Sequence, residues 1–225
     1  MEFFVQQSVL DADVKIVFAK ITGIDNRENE EWFGFRKKKI EELYQKYKDL
    51  NVKEDRILEG YNLLHDHTGV KRRKNVPASE NLIKLLIKRA DVAFINTAVD
   101  IYNLISIESK LALGAHDIDK TDGNVTLRFT NGDENFIPLG KEGAQPINEH
   151  EYSYIDDAND VLCRLEIRQV LKTLVTEDSK NVWYIVQGNE FTSQEYLIET
   201  AKRIIDLTTK YCGGIGEVIL PKVIE

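Results

Sequence analysis

The chain has only two cysteines in its 225 residues, Cys163 and Cys212, and neither sits in a CxxC or Cys/His spacing. Their scarcity excludes a disulfide framework and a thiolate zinc cluster, and leaves two reduced thiols, as expected of a cytoplasmic protein. No apolar run reaches the roughly 18 residues of a membrane span. The opening MEFFVQQSVLDADVK has no positive leader and no small-residue cleavage site, so neither export nor membrane insertion is expected. Positive charge is also short: 30 Lys and Arg against 38 Asp and Glu give a net charge of −8. That balance is unusual for a protein whose main business is gripping a phosphate backbone but does not exclude it, because a local basic patch can do the work. Glycine-rich phosphate loops, nucleophile elbows and metal-ligand spacings are missing too. Gly213-Gly214-x-Gly216 follows a helical stretch and precedes a strand, the reverse of the dinucleotide-binding order. No cofactor and no metal are therefore expected. Internal repeats and low-complexity segments are likewise absent.

What is present is enough apolar sequence, 42%, for one generous core. We expect a single domain over 1–225, with 1–76 as an N-terminal elaboration packed on a core at 77–225. Val70 to Pro77 is too short and too charged for a flexible linker. Phe3 to Leu10 and Val14 to Ile24 read as strands joined by a turn at Asp11, Ala12 and Asp13. A helix follows with Ile40, Leu43, Tyr44 and Tyr47 on its apolar face, and the basic run Arg36 to Lys39 reads as solvated. Arg56 to His67 predicts another helix, stopped by Gly69. His65 and His67 lie two apart and so on different helical faces, which argues against a shared metal. Ser79 is expected to cap a helix running to Arg89. Later, Val125 to Thr130 and Glu134 to Leu139 alternate around Asn131-Gly132, the pattern of a two-residue β-hairpin. Tyr152 to Ile155 and Val161 to Leu165 add two strands. Val182 to Gln187 reads as a buried central strand, the capping box at Thr192 to Glu195 starts the last helix, and Glu217 to Leu220 is a final strand.

Two constellations carry candidate chemistry. Thr97, with Asp100 three residues later, predicts an N-capped helix ending near Ser109, on which Asn96, Asp100 and Asn103 share one face. Asp100 serves either the helix N-terminus or a ligand; Asn103, well inside the helix, needs a partner from protein or ligand. If Cys163 to Thr176 stays extended, Arg164 and Arg168 share a sheet face and offer two planar forks to a carboxylate or phosphate. His116 and Asp117 complete the polar set. The densest positive cluster, Lys71, Arg72, Arg73 and Lys74, lies in a loop between helices and reads either as a solvated loop or as a phosphate contact.

The motifs Ala-Val-Asp-Ile-Tyr-Asn-Leu and Ala-Leu-Gly-Ala-His-Asp-Ile-Asp, followed by an expected hairpin with Arg128, resemble the tRNA-editing B3/B4 domain of the bacterial phenylalanyl-tRNA synthetase β chain. The likeness is best from Arg89 to Asp157 and is closer to free-standing members of that family. It implies a mixed α+β fold, a three-layer β/β/α sandwich with largely antiparallel sheets. It also implies a pocket that hydrolyses a wrong amino acid from tRNA, and raises the Lys71 to Lys74 loop as a tRNA phosphate contact. The chain departs from the family at two places: Gly114 stands where the synthetase domains usually carry a histidine, and Ile185 where they carry the acid that recognises a tyrosine hydroxyl. His116, the one histidine in the matched core, is then the candidate general base, with a structural hydrogen-bonding role as the alternative. Asn96, Asp100, Asn103, Asp117, Arg164 and Arg168 are the candidate pocket. The expected function is an editing hydrolase acting on aminoacyl-tRNA in trans. Its rivals are a tRNA or small-ligand binding module without chemistry, and a small-metabolite enzyme on the same scaffold.

Overall fold

The computed structural model describes residues 1–71 and 75–225. In chain order the elements are β1 (Phe3–Gln6), α1 (Gln7–Asp11), β2 (Lys15–Thr22), α2 (Glu30–Tyr47), α3 (Arg56–His67), α4 (Ala78–Arg89), α5 (Thr97–Ser109), β3 (Ala112–Asp117) and β4 (Val125–Phe129). There follow β5 (Tyr152–Asp156), β6 (Val161–Arg164), β7 (Arg168–Gln169), β8 (Asn181–Gly188), α6 (Gln194–Cys212), β9 (Ile215–Ile219) and β10 (Lys222–Ile224).

The apolar run in β8 is continuous because this strand is covered on both faces. Val182, Tyr184 and Val186 point into one hydrophobic cluster, shared with α2, α4, α5 and α6, while Trp183 and Ile185 point into another. β2 divides in the same way: Val17, Ala19 and Ile21 face the helices, and Ile16 and Phe18 face the opposite side. These strands form an antiparallel four-stranded sheet in the order β3-β8-β2-β9. Its far face meets a six-stranded sheet in the order β10-β1-β4-β5-β6-β7, whose Phe3, Val5, Val125, Leu127, Tyr152 and Tyr154 fill the space between. Three layers result: sheet, sheet, helices. Only the pairings of β1 with β4 and with β10 are parallel. The expected mixed α+β sandwich with largely antiparallel sheets is the observed one. β1 and β2, from the segment expected to be an elaboration, are interior strands of the two sheets.

Several local expectations are corrected. The first strand ends at Gln6, and Gln7–Asp11 closes into a short helix in which Gln7 Nε2 donates to Asp11 Oδ1 at 2.8 Å. The cap of α5 is Asn96, not Thr97: its side chain accepts from Val99 N at 3.0 Å. Ser79 lies inside α4, whose N-cap is Pro77, and its hydroxyl is buried without a partner. The Asn131-Gly132 hairpin does not form, because Glu134 turns back on the loop. Its carboxylate accepts from the backbone N–H groups of Asn131 and Gly132 and from Arg128 Nη1 at 2.6 Å. β4 pairs instead with β1 and β5, and residues 134–139 contribute only isolated bridges at Asn135 and Pro138. Cys163 to Thr176 is not one extended strand. Leu165, at φ +53°, reverses it into a tight β6–β7 hairpin. The last strand pair also differs: β9 begins at Ile215, and β10 follows it onto the other sheet.

Where β5 turns into β6, Asp122, Asp156 and Asp160 converge closely enough to share a cation. The ammonium of Lys172 holds that place, with Nζ at 2.7, 2.6 and 2.6 Å from the three carboxylates. Burial works against the lysine's charge, but the three carboxylates outweigh it and raise its pKa above the ordinary value.

Candidate functional site

Between the sheets, at the end where α4, α5 and the β6–β7 hairpin meet, lies a cavity of about 470 Å³. That is within the range of small-molecule sites. Its walls are set by strand register: Gly114 on β3 pairs with Ile185 on β8, and both line the space. A Cβ at position 114 would come within 2.9 Å of Gln169 Nε2. The missing side chain thus leaves room for the Gln169 amide, which Tyr102 holds by a hydrogen bond. Burial pushes the Tyr102 phenol up to about 12, so it stays protonated. Leu82, Leu113 and Leu139 supply apolar wall. Asn103 from α5 reaches the cavity half-buried, and Arg168 stands exposed at it without an ion-pair partner among the described residues.

Glu166, in the turn after Leu165, also lines the cavity and is 5% exposed. His65 from α3 bonds its Oε1 through Nε2 at 2.5 Å. The Tyr152 hydroxyl donates to Oε2, and Gln187 Nε2 approaches the same oxygen at 3.4 Å. Gln187 is oriented in turn, because its Oε1 accepts from Tyr154 at 2.6 Å and its backbone carbonyl accepts from Tyr61 at 2.7 Å. Cys163 lines the cavity as well, but burial raises its thiol pKa, which keeps it from being a nucleophile.

The sequence-derived pocket is only partly assembled. Asn103 and Arg168 line the cavity; the other proposed members do not. Asn96 caps α5, accepts from Asn26 at 2.9 Å and donates to Val175 O at 3.0 Å. Asp100, fully buried, accepts from Trp32 Nε1 at 2.9 Å and Arg36 Nε at 3.0 Å. Burial raises its pKa despite both partners. Asp117 accepts from Ser179 Oγ at 2.6 Å and from Asp119 N, and lies 3.3 Å from Lys120 Nζ. Arg164 is paired across the hairpin with Arg168, but its guanidinium grips Glu151, with Nη2 2.6 Å from Oε1. It faces a second concavity, with Lys71, Asn75 and Glu149.

His116 is corrected as a general base. It is 1% exposed, stacks on Trp183 with 4.4 Å between ring centroids, and contacts Thr173 Oγ1 through Nδ1 at 2.7 Å. Its Nε2 is buried without a partner, and burial lowers its pKa to about 3. It shares a sheet face with Gly114, two residues away, but is walled off from the cavity. Of the basic loop, Lys71 is exposed, and Arg72, Arg73 and Lys74 lie outside the described residues.

Glu166, Gln169, Tyr102 and Gln187 were not singled out by sequence reasoning, and His65 was weighed only as a metal ligand. The usable signal was Gly114 and Ile185 as departures from the family pattern, since a pocket whose walls have changed needs its polar groups from elsewhere.

Among curated proteins no relative matches the chain. Among solved structures it is similar to an N-terminal fragment of the phenylalanyl-tRNA synthetase β-subunit from Pyrococcus horikoshii, with a TM-score of 0.52 and 14% identity. That likeness shows the fold; it covers 99% of this chain, which spans about half, 51%, of the fragment. The model of the B3/4 domain matches residues 67–213, and so the chain belongs to the B3/4 domain family.

Proposed function

We propose that the cavity holds the acyl end of an aminoacyl-tRNA and that the protein is an editing-type hydrolase, removing a wrong amino acid from tRNA in trans. The observation that carries this reading is the position of the cavity. Gly114 and Ile185, the two places at which the family resemblance implies pocket residues, meet in register across β3 and β8 and line one space. Its volume suits an amino acid side chain with its ester.

An aminoacyl ester is activated, so hydrolysis requires a positioned water and stabilisation of the developing oxyanion, not a protein nucleophile. The amides of Asn103 and Gln169 supply neutral donors for that purpose, and the apolar wall of Leu82, Leu113 and Ile185 holds the side chain. Arg168 is available for a phosphate of the tRNA end. His116 takes no part.

A binding module without chemistry is the second reading, and one observation favours it: among the described residues no imidazole lines the cavity. Deacylation of a panel of mischarged tRNAs, with simple amino acid esters as controls, separates the two. Release from tRNA and not from the esters is the expected result. Binding without release supports the module, and neither binding nor release removes tRNA from the account.

A further inference from the structure

A cavity sorts its ligands by what its walls offer at each depth, because a hydroxyl taken out of water without a partner is costly and an apolar group taken out of water is favoured. The mouth and the floor of this cavity differ. At the mouth, Asn81 and Arg168 are exposed alongside Leu139, and Asn103 and Gln169 are half-buried. The buried floor is drawn from adjacent strands of one sheet, with Ala112, Leu113 and Gly114 on β3 and Ile185 on β8. None of these four carries a polar side-chain atom.

Four other buried residues of the lining, Tyr102, Tyr154, Cys163 and Glu166, do carry polar atoms, and the protein already engages each of them. The Tyr102 phenol is bonded to Gln169, and the Tyr154 hydroxyl donates to Gln187 Oε1 at 2.6 Å. Cys163 Sγ donates to the carbonyl of Leu165 at 3.4 Å. Both oxygens of Glu166 are bonded, one by His65 and the other by Tyr152. A hydroxyl on the ligand therefore finds a partner at this depth only by sharing or breaking a bond that the fold already makes.

We infer that the ligand enters with an apolar group leading, and that the cavity selects an aminoacyl group whose side chain is aliphatic or phenyl over its hydroxylated counterpart. The inference rests on the aminoacyl reading above and names its substrate class: valyl or phenylalanyl groups, as opposed to threonyl or tyrosyl ones. In that pose the ester lies among the amides of Asn103 and Gln169, and the tRNA leaves past Arg168. A hydroxyl carried to the floor gives up its water and meets groups that are already engaged. A methyl group or a ring edge in the same place replaces empty space with contact.

The test uses the full chain and tRNA-free probes paired by one hydroxyl: the amides of valine and threonine, and those of phenylalanine and tyrosine. Binding is followed by calorimetry. At least one apolar probe should bind about tenfold or more tighter than its hydroxylated partner, within the roughly hundredfold that an apolar pocket reaches against an added hydroxyl. Ile185→Thr, which brings a hydroxyl into the buried floor, should narrow that ratio. Equal binding within both pairs, tighter binding of either hydroxylated probe, no binding of any amide, or an unchanged ratio in folded Ile185→Thr overturns the inference. Should Ile185→Thr fail to fold, the paired probes on the unmodified protein still decide. If the apolar preference appears but no tRNA is bound or deacylated, the selectivity stands and the tRNA reading falls. If tRNA is deacylated equally with apolar and hydroxylated aminoacyl groups, the reverse holds.

Discussion

At the junction of α2 and α5, Asp100 meets a guanidinium and an indole; at the cavity, Glu166 meets an imidazole, a phenol and an amide. Both carboxylates are buried, but only the first has a guanidinium beside it. Arg36 cancels the charge of Asp100 and also reaches the carbonyl of Val92 and the carboxylate of Asp91, which ties three segments together. Among the described residues no lysine or arginine reaches Glu166, and its two oxygens are taken up by His65, Tyr152 and Gln187. A buried acid is therefore no guide to function until its counter-charge is found. Here the acid that stands out in the sequence is held by structural partners, and the one beside the cavity is unremarkable in the sequence.

The largest expected effect tests the first of the two. Asp100→Ala leaves a largely buried guanidinium and an indole N–H without their acceptor and should cost about 3–5 kcal/mol of folding stability, the usual penalty for breaking a buried pair from one side. Urea unfolding measures it, and a loss below about 1 kcal/mol would mean that the Asp100–Arg36 pair contributes little to folding.

Next comes His116, in a third buried setting. Its pKa of about 3 in the folded protein lies below the ordinary 6.5, so the unfolded chain takes up a proton that the folded one refuses. Its contribution to stability is thus full above about pH 6.5 and is lost progressively as the pH falls towards 3. Between about pH 7 and pH 5.5 the unmodified protein should lose about 1 kcal/mol more than His116→Phe does. Parallel loss in both proteins would show that the ring is not held neutral.

The smallest effect on folding sharpens the cavity side. Arg168→Ala should leave stability within about 0.5 kcal/mol, as for an exposed side chain without partners. If tRNA is bound, the same change should lower the salt dependence of binding by about one phosphate contact. An unchanged slope would take Arg168 off the phosphate path.

The layers were legible because periodicity and run length report burial directly: the unbroken apolar stretch of β8 and the capped, amphipathic α6 needed no distant information. The Asn131-Gly132 turn was misread because its outcome is decided by Glu134, whose carboxylate competes with strand pairing for the same backbone donors. Of the polar stripe read on α5, Asn96 is the cap, Asn103 lines the cavity, and Asp100 turns to α2. What it faces was invisible, since Trp32 and Arg36 lie 68 and 64 residues away in sequence. Glu166 sits among ordinary charged neighbours in CRLEIRQ, and only the fold brings His65, Tyr152 and Gln187 to it. Arg164 and Arg168 do meet on one sheet edge, but through a hairpin, and Glu151 had already claimed one of them.

The lysine among Asp122, Asp156 and Asp160 bears on how the β5–β6 turn responds to its surroundings. A site filled by a free ion is occupied in proportion to that ion's concentration and empties on dilution. Lys172 is covalently attached, so its ammonium is present at a fixed, high local concentration whatever the solution contains. The turn's order is accordingly set by the chain itself and not by mass action with the medium. Only protonation of the carboxylates, or loss of that one amine, would release it.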